Sequence, residues 1–202
     1  MNTKNTIPSK AAIREIYESY KEYFSEIMEN IIVILKDQVK LMAQPTYKSR
    51  VKSFDSYYKK ILRLKPNEIN NSDSLVYLTD MMGIRMICAF LEDINIGLEQ
   101  IKKIFEIKEV EVKGVDKNFR EFGYESIHVL IKLPESCIPP FTGKYERLKP
   151  ISDEIVCEIQ IRTILQDAWA EVEHELIYKT EFSPFDIPLR RKLASLNASL
   201  TL

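Results

Sequence analysis

Histidine and cysteine are both scarce in this chain, with two and three copies in 202 residues. There is no C-x-x-C pair and no His/Cys cluster, so nothing suggests a zinc site. Cys88, Cys137 and Cys157 are odd in number and have no pair spacing. Two of them fall in expected strands, and buried thiols in a reducing compartment are the simplest reading. No apolar run approaches ~18 residues, which leaves no candidate membrane span. The opening residues MNTKNTIPSK have no apolar signal region, and a cytoplasmic location is expected. Neither sign of charge dominates: 29 Lys and Arg stand against 30 Asp and Glu, a formal net charge of -1. A basic coat for nucleic acid is thereby excluded, although a local basic patch is not. Internal repeats and low-complexity linkers are absent as well.

What is present suits one domain over residues 1–202 with a real core, at 45% apolar and 10% aromatic residues. Residues 8–42 read as one or two amphipathic helices, because Ile13, Tyr17, Tyr20, Phe24, Ile27, Ile31, Ile34 and Leu35 recur at helical steps. They form an N-terminal helical region, 1–45. A core region, 46–180, follows. It holds an extended segment at 46–52, a helix over Phe54–Leu64, a polar loop at 67–73 and a strand at 82–90. Next come a helix capped by Asp93 and running to about Ile107, then strands at 107–113, 126–133 and 153–161. A Pro-rich loop, CIPPFTGKYERLKP, precedes the last strand. A helix at 164–179 and a C-terminal helix near 187–200, within 181–202, complete the chain. The order implies an α+β fold: a mixed β-sheet of about five strands flanked by helices.

Four segments carry chemistry. In the first, Arg50 and Lys52 share one strand face, and Ser56, Lys59 and Lys60 follow on a helix turn. Such cations and hydroxyls suit a polyphosphate, or else a solvated charged face. In the second, Asp80 stands just before an apolar strand and Arg85 stands inside it. Asp80 suits a hard cation such as Mg²⁺, or a structural ion pair with Arg85. In the third, Tyr124, Ser126 and His128 lie on one strand face, with Gly123 allowing close approach of a planar ligand that Tyr124 could stack on. An ordinary half-exposed strand is the alternative. The fourth is CEIQIRTILQDAWAEVEHELIYK, residues 157–179. Glu158, Gln160 and Arg162 alternate with the apolar Cys157, Ile159 and Ile161. The helix then shows an apolar stripe of Leu165, Trp169, Val172 and Leu176, beside a face holding Glu173 and His174. Glu158 is a partner for Asp80 across one metal ion, or a general base for a hydroxyl, or part of a structural polar network.

In order and spacing, these segments resemble the synthetase domain of the RelA/SpoT family, in its stand-alone small alarmone synthetase form with a nucleotidyltransferase-like fold. The resemblance spans about Tyr47 to Lys179. Its most specific pieces are EIQIRT at 158–163 and WAEVEH at 169–174 with Tyr178-Lys179, joined by DMMGIR at 80–85 and GYESIH at 123–128. It implies transfer of the β,γ-pyrophosphate of ATP to a ribose 3′-hydroxyl. Arg50, Lys52, Ser56, Lys59 and Lys60, with Arg85, would hold ATP phosphates. Asp80 and Glu158 would hold Mg²⁺, and Glu158 would activate the acceptor hydroxyl. Tyr124 would stack on the acceptor base, and Ser126, His128, Gln160 and Arg162 would lie near the acceptor, with Glu173 and His174 in support. The chain has no hydrolase domain with a His-Asp pattern, so degradation of the product is not expected of it.

The chain also departs from the family pattern. Alarmone makers carry a Pro-Lys pair a few residues before the Gly-Tyr and an Arg after the Tyr. Here the approach is Lys117-Asn118-Phe119-Arg120-Glu121-Phe122, and Glu125 follows Tyr124. A short synthetase with a GYES motif resembles the toxic branch of the family, which implies the 3′-CCA end of tRNA as acceptor and an antitoxin partner. Acceptance by GDP, GTP or an adenosine nucleotide is the alternative. Lys144, Arg147, Lys149, Arg190, Arg191 and Lys192 are the candidate RNA contacts, or else solvated charges. The N-terminal helix and Leu189, Leu193, Leu196 and Leu200 could build a homo-oligomer, bind an antitoxin or complete the core.

Overall fold

The computed structural model describes residues 9–65, 75–113 and 126–178 together with Ser195; in the last helix, side chains are described through Glu171. The chain opens with α1 (Lys10–Ser19) and α2 (Lys21–Gln38), so the amphipathic N-terminal region is two helices that break at Tyr20. Ser9 starts α1 by accepting a hydrogen bond from the Ala12 amide, which satisfies one of the donors a helix end leaves unpaired. Then come β1 (Thr46–Val51), α3 (Phe54–Leu64), β2 (Met82–Cys88), α4 (Glu92–Ile104), β3 (Ile107–Lys113), β4 (Ser126–Lys132), β5 (Val156–Thr163) and α5 (Ile164–Tyr178). No helix among the described residues is long and apolar enough to cross a membrane.

The five strands form one mixed sheet in the order β1-β2-β5-β4-β3. β2 and β5 run parallel, and the other neighbours are antiparallel. This is the α+β architecture the element order implies. Side chains alternate across each strand, so the sheet has two faces of different character. One face carries Ile84, Met86, Val129, Ile131, Cys157, Ile159 and Ile161, all fully buried. Against it pack α2, through Ile27, Ile31 and Leu35, and α4, through Ile101. Gly97 lets α4 come close: a Cβ there would lie 2.4 Å from the terminal methyl of Met86. The other face is polar and carries the site.

The Pro-rich loop closes the apolar side. The Tyr23 hydroxyl donates to the Pro139 carbonyl at 2.9 Å, Asn30 donates to the Cys137 carbonyl at 3.1 Å, and the Tyr20 hydroxyl donates to the Lys149 carbonyl at 2.8 Å. Phe141 stacks on Tyr23, and Tyr145 meets the same ring edge-on. The loop therefore belongs to the core behind the sheet.

Several sequence expectations shift. β2 ends at Cys88 rather than residue 90, which leaves Phe90 exposed in the turn that follows. The last strand covers Val156–Thr163 rather than 153–161. α4 begins two residues earlier than expected, so Asp93 is not its cap but a buried first-turn residue. The start of α5 differs most. Leu165, expected in the inward stripe, is 46% exposed, while Gln166 and Asp167 are buried. That turn lies on the polar face of the sheet, where an inward leucine has nothing apolar to meet. Thr163 and Gln166 form a reciprocal capping box: the Gln166 amide oxygen accepts from Thr163 N–H at 2.8 Å, and Thr163 Oγ1 accepts from Gln166 N–H at 3.1 Å. The polar loop 67–73 and the C-terminal helix 187–200 (Ser195 apart) lie outside the described residues.

Two substitutions test this account. Ile159→Ala removes a fully buried side chain from the sheet centre and is expected to cost about 2–5 kcal/mol. Thr163→Ala removes half of the capping box and is expected to cost about 1 kcal/mol. Urea denaturation of each variant checks both.

Candidate functional site

The strand registers line up side chains across the polar face. One row runs Arg50, Gly83, Glu158, Leu130 and Glu109; the next runs Lys48, Arg85, Gln160, His128 and Glu111. Gly83 adds no side chain, which leaves the floor open between Arg50 and Glu158. Among the described residues, two clefts sit on this face. The first, about 450 Å³, extends over β1 and β2 and is lined by Lys48, Arg50, Lys52 and Arg85. The second, about 420 Å³, extends over β4 and β3 and is lined by Lys60, Glu109, Glu111 and His128. Asp80, Glu158 and Gln160 line both.

Asp80 stands at the turn into β2. Its Oδ2 accepts from Lys52 Nζ at 2.8 Å and Lys60 Nζ at 2.7 Å. Burial pulls its pKa up, but the two ammonium groups outweigh that and hold the carboxyl below the usual aspartate value. The lysines are themselves placed. The Lys52 carbonyl accepts from the Tyr17 hydroxyl at 2.6 Å, and Lys52 N–H bonds the Met81 carbonyl at 2.9 Å. Asp80 Oδ1 is buried and has no hydrogen-bond partner among the described residues.

Glu158 is held differently. Its Oε1 lies 2.8 Å from His128 Nδ1, and its Oε2 accepts from Gln160 Nε2 at 2.7 Å. An ionised carboxylate only accepts, so His128 donates through Nδ1–H, and its Nε2 faces the Ser126 hydroxyl at 2.8 Å. Arg162 completes the chain by donating to Gln160 Oε1 at 2.6 Å. Burial raises the Glu158 pKa, yet the hydrogen bonds from His128 and Gln160 bring it below the usual glutamate value. Glu158 is therefore ionised at neutral pH.

At the far end of the first cleft, Asp167 projects from the first turn of α5. It accepts from Lys48 at 2.8 Å and Arg85 at 3.3 Å, and pairs with Arg162 at 3.5 Å. Glu171, one turn on, also pairs with Arg85. These partners replace the Asp80–Arg85 ion pair considered from sequence.

The structure thus brings Arg50, Lys52, Lys60, Asp80, Arg85, His128, Glu158, Gln160 and Arg162 together on one face. Ser126 sits beneath them as a buried partner of His128. Ser56 and Lys59 line neither cleft; Ser56 serves the start of α3, where its amide and hydroxyl bond Ser53 Oγ. Lys144 is turned away from the site. It pairs with Glu26 at 2.7 Å and Glu22 at 3.3 Å on α2, behind the sheet, in the loop that also holds Arg147 and Lys149. Tyr124, Arg190, Arg191 and Lys192, and the side chains of Glu173 and His174, lie outside the described residues. Sequence reasoning missed Lys48, Glu109, Glu111, Asp167 and Glu171. Period-two alternation could have found the first three, and the Thr163-x-x-Gln166 capping box marks the polar turn that carries Asp167.

The chemistry of Asp80 and Glu158, two carboxylates lining the same clefts, suits a divalent cation. The unpartnered Asp80 Oδ1 is an acceptor in need of a positive group, and Glu158 lies close enough for its pKa to feel the Asp80 charge. Among the described residues no group of three or more His, Cys, Asp or Glu gathers as ligands. Mg²⁺ needs no such cage, because it keeps waters and takes substrate phosphates alongside one or two carboxylates.

The family described as the region found in RelA / SpoT proteins matches residues 49–183. The chain belongs to this family. Two proteins of Bacillus subtilis (strain 168) are similar to it. GTP pyrophosphokinase YwaC is 36% identical over 132 residues, covering 65% of this chain and 57% of that protein. GTP pyrophosphokinase YjbM is 31% identical over 125 residues, covering 60% and 53%. The match thus spans a little over half the length of these relatives. Among solved structures, small alarmone synthetase 1 from Bacillus subtilis bound to its product pppGpp superposes with a TM-score of 0.63 at 26% identity, covering 90% of each chain. Small alarmone synthetase 2 from the same organism superposes with a TM-score of 0.59 at 24% identity, over 93% of this chain and 92% of that one, and shares the fold. The family suggested by the sequence motifs is therefore the family found.

The Glu158 arrangement predicts acid behaviour. A carboxylate whose folded-state pKa is lowered adds stability above its unfolded pKa and loses it as pH falls through the folded value. His128→Ala removes the larger of its two hydrogen-bond contributions. The acid-unfolding midpoint, followed by circular dichroism from pH 7 to 2, is expected to move to higher pH in that variant; an unchanged midpoint would show that His128 does not hold Glu158 in its ionised form.

Proposed function

We propose that this chain is an ATP-dependent pyrophosphokinase that moves the β,γ-pyrophosphate of ATP to the ribose 3′-hydroxyl of a guanosine nucleotide, GDP or GTP. The observation that carries this is the pair of clefts sharing Asp80 and Glu158. A transfer between two substrates needs two pockets that meet at the reacting groups. The first cleft, with Lys48, Arg50, Lys52 and Arg85, has the cations a triphosphate donor requires. The second takes the acceptor, with His128 and Glu158 at its junction with the first.

In this reading Glu158 accepts the proton of the 3′-hydroxyl as that oxygen bonds to the β-phosphorus, and AMP leaves with the electrons of the broken P–O bond. His128 and Gln160 each hold one oxygen of the carboxylate and so fix its orientation. Lys52 and Lys60 oppose the negative charge that builds on the moving phosphates. Asp80 and Glu158 would hold Mg²⁺, which supplies charge neutralisation of the polyphosphate when bound. Tyr124 would stack on the acceptor base. The guanosine acceptor is supported by similarity to proteins named GTP pyrophosphokinase, and by likeness to a synthetase bound to pppGpp.

A second reading has the 3′-CCA end of tRNA as acceptor, in a toxin held by an antitoxin. It is favoured by the acid Glu125 directly after Tyr124 and by the missing Pro-Lys pair. Incubation with Mg²⁺ and γ-labelled ATP separates the two: label in GDP or GTP supports the first, label in deacylated tRNA alone supports the second, and label in neither from folded protein rejects both. Glu158→Gln is expected to lower transfer by about 10²-fold or more while leaving the circular dichroism spectrum unchanged; a wild-type rate in that variant would refute its role as base.

A further inference from the structure

Arg85 is held by two carboxylates on successive turns of α5, and the two are not equivalent. Asp167 is 4% exposed and is gripped by Lys48, Arg85 and Arg162 together. Asp167 and Arg162 are both buried, so drawing them apart would strand buried ions, and this cluster stays in place. Glu171 lies four residues on, on the same side of the helix, with its side chain 51% exposed at the wall of the first cleft. Its carboxyl is held below the usual glutamate value, chiefly by the hydrogen bond from Arg85. A pair this exposed is weak and screened, and little is lost when it opens.

The same cleft must accept a polyphosphate if it is the donor site, and Arg85 is one of its cations. A guanidinium carries five N–H donors in a planar fork suited to carboxylate and phosphate alike. A polyphosphate brings several negative charges where Glu171 brings one. We infer that Glu171 is a placeholder on Arg85: at the wall of the cleft it shares the Nη1 nitrogen with Asp167 until the donor's polyphosphate takes its place, while Asp167 keeps Arg85 aimed. Glu171 thereby sets donor affinity without touching the reacting atoms. This inference rests on the assignment of the first cleft to ATP.

The test is calorimetric titration of a non-hydrolysable ATP analogue with Mg²⁺ into wild type, Glu171→Gln, Arg85→Ala and the double variant, with steady-state kinetics beside it. Glu171→Gln is expected to bind the analogue about two- to fivefold more tightly, the scale of one exposed ion pair. KM for ATP is expected to fall in step and KM for the acceptor to stay the same. In the Arg85→Ala background the gain is expected to vanish, because Glu171 acts through Arg85. Binding by wild type with no gain in Glu171→Gln overturns the placeholder and leaves the donor site standing. A gain that persists without Arg85 also overturns it, since that would be a general charge effect. No binding of the analogue by wild type overturns the donor site and the placeholder together.

Discussion

The parallel pairing of β2 with β5 is the constraint on which the site depends. It joins segments about 75 residues apart in the chain and sets Gly83 beside Glu158 and Arg85 beside Gln160. A slip of one residue would turn Glu158 and Gln160 into the core and Ile159 and Ile161 into the clefts. What prevents the slip is the opposite face: Ile84, Met86, Cys88, Ile159 and Ile161 are fully buried, and exposing them costs about 2 kcal/mol each. The apolar core on one face of the sheet therefore positions the carboxylates on the other. The same pairing aims α5. β5 runs straight into the Thr163–Gln166 capping box, and the first turn of the helix lands Asp167 over Lys48, Arg85 and Arg162.

Given that frame, the polar face solves an electrostatic problem. Many charges share a partly buried surface, and each must have a partner or be displaced toward its neutral form. The two central carboxylates are satisfied in different ways. Asp80 is neutralised by two ammonium groups; Glu158 is held by an imidazole and an amide. An acid cancelled by lysines suits binding phosphates and metal, because the lysines can turn to the phosphates as the metal takes the carboxylate. An acid held by hydrogen bonds keeps a lone pair in a fixed direction, which suits taking a proton. In the proposed reaction, the division of labour between the two acids would follow from their partners rather than from their own chemistry.

Much of this was legible in the chain. Alternation in CEIQIRT announced both the buried and the polar faces of β5, and the charged run around Lys52 and Lys60 lies at the site. The errors have physical causes. Asp80 and Arg85 are near in sequence, but Asp80 sits in the turn before β2, and the three strand residues from Met82 to Arg85, at about 3.3 Å each, carry Arg85 roughly 10 Å along the strand and into reach of α5. Helical periodicity placed Leu165 inward because it assumes an apolar neighbour, and the first turn of α5 has a polar one. Lys144 looked available because its loop is polar on paper; Phe141 and Tyr145 bind that loop to α2 and take Lys144 with them. In each case the contact was set by where another segment packs, which no local pattern records.

The same pairing bears on the acceptor. An RNA stem is bound by neutralising several phosphates in a row, which needs cations not already committed to acids. In the cleft over β3 and β4 the described lysines each face an acid, Lys60 at Asp80 and Lys113 at Glu111, which lowers the net positive charge there. Glu109 adds further negative charge to that cleft, and Lys144 is paired behind the sheet. A mononucleotide asks for less, a stacking partner for its base and a few contacts to its phosphates. The charges described here therefore suit a compact acceptor, and binding of tRNA would have to draw its cations from elsewhere in the chain, Arg190, Arg191 and Lys192 among them. Acceptor choice in this chain is then a question of where uncommitted positive charge lies, separate from the carboxylate chemistry that either acceptor would use.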